Sequence, residues 1–356
     1  MPQKRILIKL GILFILFTLN LLFAHPDPVS KDDRVPARTL ELKFFFPGGI
    51  PGGVPGGEIN EKEIYLDRPQ RISSGESGQV YFSCMGSHSI FKFNDEGRFI
   101  REIGRAGQGP GEFQGPNHVV PWRDKLIVLD NFSRKIQILD SEGKYLSSFI
   151  IQSTYWDLVV SKSGLIYAAP LLHSYPGKKE TALIHVYDQQ GELTLTFGTP
   201  KINNSTVFNM VRLAIDHKNE IYAAYTHWPE IRKYTSDGKL IAEYTIEHLL
   251  MAERAKFNRK QLSKPKKVGE PGFSQTCIDD IEVLGDRIFL FLRSYVEPRL
   301  EFLEFDQEMN RVNKYLYKPK DQLYGIDFFV KTNGENLLFY FLDRSEYRII
   351  VLAEKK

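Results

Sequence analysis

Four glycines divide the middle of this chain into nearly equal parts. Gly97, Gly143, Gly191 and Gly238 recur at intervals of 46, 48 and 47 residues. Each lies just after a run such as IFKFN (90–94), IQILD (136–140), IHVYD (184–188) or IRKYT (231–235). A period of this length accommodates four short strands or a set of helices. The runs alternate apolar and polar residues with period two, which is a strand signal and excludes the helical alternative. Six repeats can be laid out, at about 71–103, 117–150, 156–197, 210–246, 278–317 and 326–353. Their second strands read VYFSC, LIVLD, LIYAA, EIYAA, RIFLF and LLFYF in turn.

Between the first two repeats runs GRAGQGPGEFQGPNHVV, Gly104 to Val120. Its glycines tolerate positive φ, and Pro110 and Pro116 suppress helix. A phosphate-binding glycine loop should instead open a helix. No helical periodicity follows here, and Phe113 is the apolar residue placed to pin the loop. The run LIVLDNFSRKIQILDSEGK, residues 126–144, follows it. Together these residues resemble the NHL-repeat family over about 40 residues. The resemblance implies an all-β fold, a six-bladed β-propeller with four antiparallel strands per blade. The sixth repeat stops at its third strand, and an open edge is an aggregation hazard. A strand at Leu40 to Phe46 or at Glu63 to Leu66 is expected to close the ring.

Outside the repeats, residues 1–24 read as an export signal or an uncleaved N-terminal anchor. Lys4, Arg5 and Lys9 precede an apolar run ending at Ala24. Residues 6–24 are nearly long enough to span a bilayer. The expected location is therefore periplasmic or extracellular, with anchoring as the alternative. Residues 25–70 hold the RTLELKFFF strand and a Pro/Gly spacer, Pro47 to Gly57. Residues 71–356 form the propeller. It is interrupted at about 247–273 by a basic insertion in which Leu249, Leu250, Ala252 and Ala255 suit one helix face. Its lysines and arginines read as a solvated face, with binding of a membrane surface or an acidic polymer as the alternative. Cys84 and Cys277 fall in repeats one and five, so two buried thiols are expected and no disulfide. A net charge of +3 implies no nucleic-acid partner. A monomer is expected.

Propeller sites commonly sit where the inner strands begin. Counting nine residues back from the second strands gives Arg71, His118, Asp157, Arg212 and Asp279, with Asp327 the nearest equivalent in repeat six. NHL repeats usually place a small residue there. A polar ring could bind a protein, peptide or carbohydrate ligand, or its members could pair and pin adjacent blades. The turns after the second strands should share this face. They carry Asn131, Arg134, His173, His227, Trp228, Tyr295 and Arg344. His227 and Trp228 are the strongest additional ligand contacts. No cofactor is expected and no catalytic residue is assigned, because no H-E-x-x-H or G-x-S-x-G motif exists. The alternative is a metal-dependent hydrolase or lyase, lactonase-like or peptide-amidating-lyase-like, holding Ca²⁺ or Zn²⁺.

Overall fold

A computed structural model describes residues 35–46, 66–171, 182–202, 205–264, 273–295, 297–325 and 327–355. The export segment, the Pro/Gly spacer, Glu63 and His173 lie outside the described residues. The first strand, β1, is Ala37–Phe46. Blade one follows as β2 (Pro69–Ser74), β3 (Val80–Cys84), β4 (Ser89–Phe93) and β5 (Phe99–Ile103). Blade two is β6 (Pro116–Trp122), β7 (Lys125–Asp130), β8 (Lys135–Asp140) and β9 (Tyr145–Ile150). Blade three is β10 (Tyr155–Val160), β11 (Ile166–Pro170), β12 (Ile184–Tyr187) and β13 (Leu193–Phe197). Blade four is β14 (Val211–Ile215), β15 (Ile221–Tyr225), β16 (Glu230–Tyr234) and β17 (Leu240–Thr245). Blade five is β18 (Asp280–Leu284), β19 (Arg287–Arg293), β20 (Leu300–Phe305) and β21 (Arg311–Tyr317). Blade six supplies only β22 (Phe328–Asn333), β23 (Asn336–Asp343) and β24 (Arg348–Glu354). Within each blade, consecutive strands pair antiparallel.

The missing fourth strand of blade six is β1. It pairs antiparallel with β24, from Leu40 opposite Glu354 to Phe46 opposite Ile349. Of the two candidate closing strands, the structure uses Leu40 to Phe46. It also does something the sequence did not indicate. Ala37, Arg38 and Thr39 pair parallel with Lys314, Tyr315 and Leu316 of β21. Blades five and six thereby become one eight-stranded sheet. Ring closure and the joining of two blades rest on the same ten residues.

The periodic glycines are explained by packing between blades. Gly97, Gly143, Gly191 and Gly238 all have φ between 81° and 88°, where a side chain is strained. Each also abuts the outer strand of the preceding blade. A Cβ on Gly97 would stand 2.7 Å from the Phe46 ring, and one on Gly143 would stand 2.6 Å from Ile103. On Gly191 it would meet Phe149 at 2.4 Å, and on Gly238 Phe197 at 2.7 Å. Blade five places Met309 at the corresponding turn, with φ of 62°, and there the glycine signal disappears.

Phe113 is fully buried among Tyr81, Ile90 and Ile103 of blade one and Val119, Leu126 and Val128 of blade two. It pins the linker as expected. Both cysteines are free and buried. The insertion forms one helix, α1 (Leu249–Leu262), but with a different buried face. Leu250 and Ala255 are buried together with Met251, Arg254 and Asn258, whereas Ala252 is exposed. Two polar side chains point inward because they cap loop groups. Asn258 Nδ2 donates to His227 O at 2.9 Å and Gln275 O at 2.7 Å, and Gln275 N donates to Asn258 Oδ1 at 2.7 Å.

Candidate functional site

The inner strands begin at one end of the ring, and there Arg71 is the hub. Its guanidinium lies 2.8 Å from Asp157 and 3.7 Å from Asp280, and it also bonds Asp327. His118 Nδ1 lies 3.2 Å from the same Asp157 oxygen. One arginine thus ties blades one, three, five and six together. All of these side chains are buried.

The carboxylates also bond backbone of the following blade. Leu213 N in blade four donates to Asp157 Oδ2 at 3.0 Å. Phe328 N in blade six donates to Asp280 Oδ2 at 3.3 Å. Ile72 N in blade one donates to Asp327 Oδ2 at 2.5 Å. Blades one and two are joined instead by Ser73 Oγ, which donates to Val119 O at 2.7 Å. Buried amides need such partners, so these side chains hold neighbouring blades in register.

Blade five corrects the expected ring. Its first hairpin turns through two residues, Gly285 and Asp286, whereas blades one, three and four turn through five. The nine-residue count therefore overshoots by one, and Asp280 rather than Asp279 stands in register with Arg71. Asp279 instead accepts Arg293 N at 3.0 Å and pairs with Arg293 Nε at 2.9 Å. Arg212 lies with its Nε 3.0 Å from Asp279 O and 3.7 Å from Asp280, and its guanidinium stacks 4.7 Å above the Trp156 ring.

The electrostatics follow from this crowding. Burial tends to raise Asp157, but Arg71 and then His118 hold it below the usual carboxylate range. Asp280 is pushed well up by burial and by the neighbouring Asp327, with Arg71 opposing. Its side chain also bonds that of Asp327, which favours the protonated form further. Deeper in the channel, half-buried Glu282 is raised to about 8, chiefly by burial and then by Asp327 and Asp157. Among the described residues, no three His, Cys, Asp or Glu side chains converge as metal ligands. The carboxylates that a metal would require are engaged by Arg71 and by backbone amides.

His227 and Trp228 do not join the ring. Both are buried beneath α1. His227 Nδ1 is 2.7 Å from Thr226 Oγ1, and burial lowers its pKa to about 4. Trp228 Nε1 donates to Phe208 O at 2.9 Å. These are packing contacts, set by a helix whose position the sequence did not reveal.

What faces solvent at this end is a second layer. Phe132 in the β7–β8 turn is 59% exposed and Tyr324 in the linker to blade six is 40% exposed. Arg134 is exposed, and Arg293, Tyr295 and Arg344 are half-buried. Arg293 Nη2 approaches Tyr295 Oη at 3.3 Å, and the guanidiniums of Arg254 and Arg293 lie 4.7 and 5.0 Å from that ring. Arg293 was not apparent from the sequence, because it ends an otherwise apolar strand.

These features define the class: a closed six-bladed β-propeller whose channel entrance is tied by an arginine–carboxylate network. The chain belongs to the DUF5128 family, described as a 6-bladed β-propeller, whose model matches residues 62–340. No curated protein matches its sequence. Solved structures share the fold. One is a Bacteroides fragilis protein described as exported, with 15% identity and TM-score 0.56, matched over 94% of this chain and 98% of that one. Another is a DUF4221 family member from Bacteroides vulgatus, with 11% identity and TM-score 0.57 over 90% and 99%. Streptogramin B lyase aligns with 12% identity and TM-score 0.51 over 82% and 96%. At such identities the likeness concerns the fold alone.

Proposed function

We propose that this protein is an exported recognition module that binds a protein, peptide or carbohydrate ligand across the channel mouth. The buried ring of Arg71, His118, Asp157, Arg212 and Asp327, completed by Asp280, is the rigid floor. The ligand meets the layer above it. The observation carrying this reading is that Phe132 and Tyr324 are exposed in turns at the same end of the ring as the buried network in which Arg71 pairs with Asp157 and Asp327. Exposed aromatic side chains over a pre-organised base suit recognition, since little ordering is required on binding. The basic, apolar N-terminus supports export, as does similarity to the described Bacteroides fragilis protein. On this reading the repeats are of NHL type and the protein acts as a monomer, without nucleic acid.

Glycan and peptide arrays probed with the purified protein test the proposal. A ligand retained in EDTA and lost in the Phe132→Ala/Tyr324→Ala variant is expected, with melting temperature unchanged. Array binding that is indifferent to both substitutions would overturn the assignment to the mouth.

A further inference from the structure

The outward face of α1 carries Lys256, Arg259 and Lys260, all exposed. Ser263 keeps helical backbone angles and Lys264 N donates to Gln261 O, so exposed Lys264 continues the spiral. Residues three and four apart on a helix stand about 5–6 Å from one another. The four cations therefore form one stripe, shared with a single acid, Glu253. Among the described residues, none of the four side chains has a hydrogen-bond or ion-pair partner. The helix dipole favours Arg259 and Lys260 in the last turn, but it does not account for Lys256.

The inward face fastens α1 to the propeller. Leu250, Met251 and Ala255 are buried, Arg254 donates to Thr276 O and Arg293 O at 2.9 and 2.8 Å, and Asn258 donates to His227 O. Charges on an element held in this way need little ordering when a ligand binds. Because α1 links the last strand of blade four to the first strand of blade five, it stands at the end of the ring where the inner strands begin. The hairpin turns at the other end are acidic, with Asp95 and Glu96, Asp188 and Glu192, and Asp306 and Glu308. This segregation steers anions towards α1. Beside its last turn lies a cavity of about 540 Å³ whose lining includes Arg259, Leu262 and Trp228, which gives a bulky chain room against the stripe. A membrane surface fits poorly, because the apolar side that an interfacial helix would insert is buried in the protein. Carboxylates on one side of an extended acidic peptide recur only about every 7 Å, wider than the stripe's spacing. A polyuronate carries a carboxylate on every sugar ring, and both arginine forks and lysines pair with carboxylates.

We propose that the basic face of α1 binds a linear polyuronate, whose carboxylates run along Lys256, Arg259, Lys260 and Lys264. The site uses none of the aromatic residues assigned to the mouth and does not depend on that assignment. The test is calorimetric titration of the full chain with polygalacturonate, dextran and poly-glutamate. Polygalacturonate should bind and dextran should not, and raising salt from about 0.05 M to about 0.5 M should weaken binding at least about tenfold. Lys256→Gln/Arg259→Gln/Lys260→Gln should weaken it at least about tenfold at low salt, while melting within about 3 °C of the parent. Arg98→Gln/Lys144→Gln/Lys239→Gln removes the same charge from turns at the other end and should bind as the parent does. Absence of binding, equal binding of dextran, equal losses in the two variants, or a larger melting loss in the helix variant would each overturn the inference. Tighter binding of poly-glutamate would overturn the polyuronate assignment. So would phosphatidylserine vesicles that bind the parent more tightly than the helix variant when polygalacturonate binds neither. Phe132→Ala/Tyr324→Ala should retain polygalacturonate, so this inference and recognition at the mouth fail through different variants.

Discussion

Removing the hub arginine is the most direct probe of how the ring is held. Arg71→Ala deletes the cation that faces Asp157, Asp280 and Asp327. All three carboxyls stay buried, so at least two are left charged without a cation. Breaking a buried pair from one side costs about 3–5 kcal/mol. For a domain of roughly 300 residues the unfolding entropy is about 0.6 kcal/mol per degree, so the melting temperature should fall by about 5–8 °C at pH 7. The sign of the pH effect distinguishes charge from packing. In the parent, Asp157 has a lowered pKa, so its contribution is present above the ordinary carboxylate value and lost as pH falls through the folded value. In the variant the same carboxyl should be raised by burial, and stability should recover as pH falls. The gap between the proteins should therefore narrow from pH 7 to pH 5, measured by calorimetry. A loss below about 2 °C would refute the hub assignment. A gap independent of pH would assign the cost to lost packing of the side-chain stem.

Other expectations follow from particular residues. Deleting residues 1–46 removes β1 and exposes the β24 edge, so aggregation and loss of cooperative melting are expected by light scattering and calorimetry. Gly143→Ala should cost more than Gly285→Ala in chemical denaturation. Both have positive φ, but only Gly143 has Ile103 within contact, whereas nothing lies within 4 Å of Gly285. A difference of about 1 kcal/mol or more is expected. Glu282 has a raised folded pKa, so stability should be lost as pH rises towards and through about 8. Glu282→Gln should flatten that alkaline decline in melting temperature. Glu301 has the opposite sign. Burial tends to raise it, but His248 and Lys314 lower it to about 2. Its contribution should begin to fall as pH drops below about 4.5 and be lost only as pH approaches about 2, and Glu301→Gln should melt lower than the parent at pH 7.

Much of the architecture was legible from local signals. Turn glycines at φ near 85° and period-two alternation mark each blade. Both are imposed by backbone geometry that a short segment expresses by itself. The incomplete sixth repeat also pointed to an N-terminal closing strand, and Phe113 to the pinned linker. The tertiary structure decided what depends on counting across turns and on residues meeting from distant segments. A hairpin loop three residues shorter moved the ring position from Asp279 to Asp280. The parallel pairing of β1 with β21 has no local signature, because it involves only three residues at the start of a strand. The helix covers His227 through Asn258, which bonds the His227 carbonyl, and apolar periodicity alone does not mark that face. Arg71, Asp157, Asp280 and Asp327 come from four blades. Which charges match depends on distances in space that sequence separation does not encode.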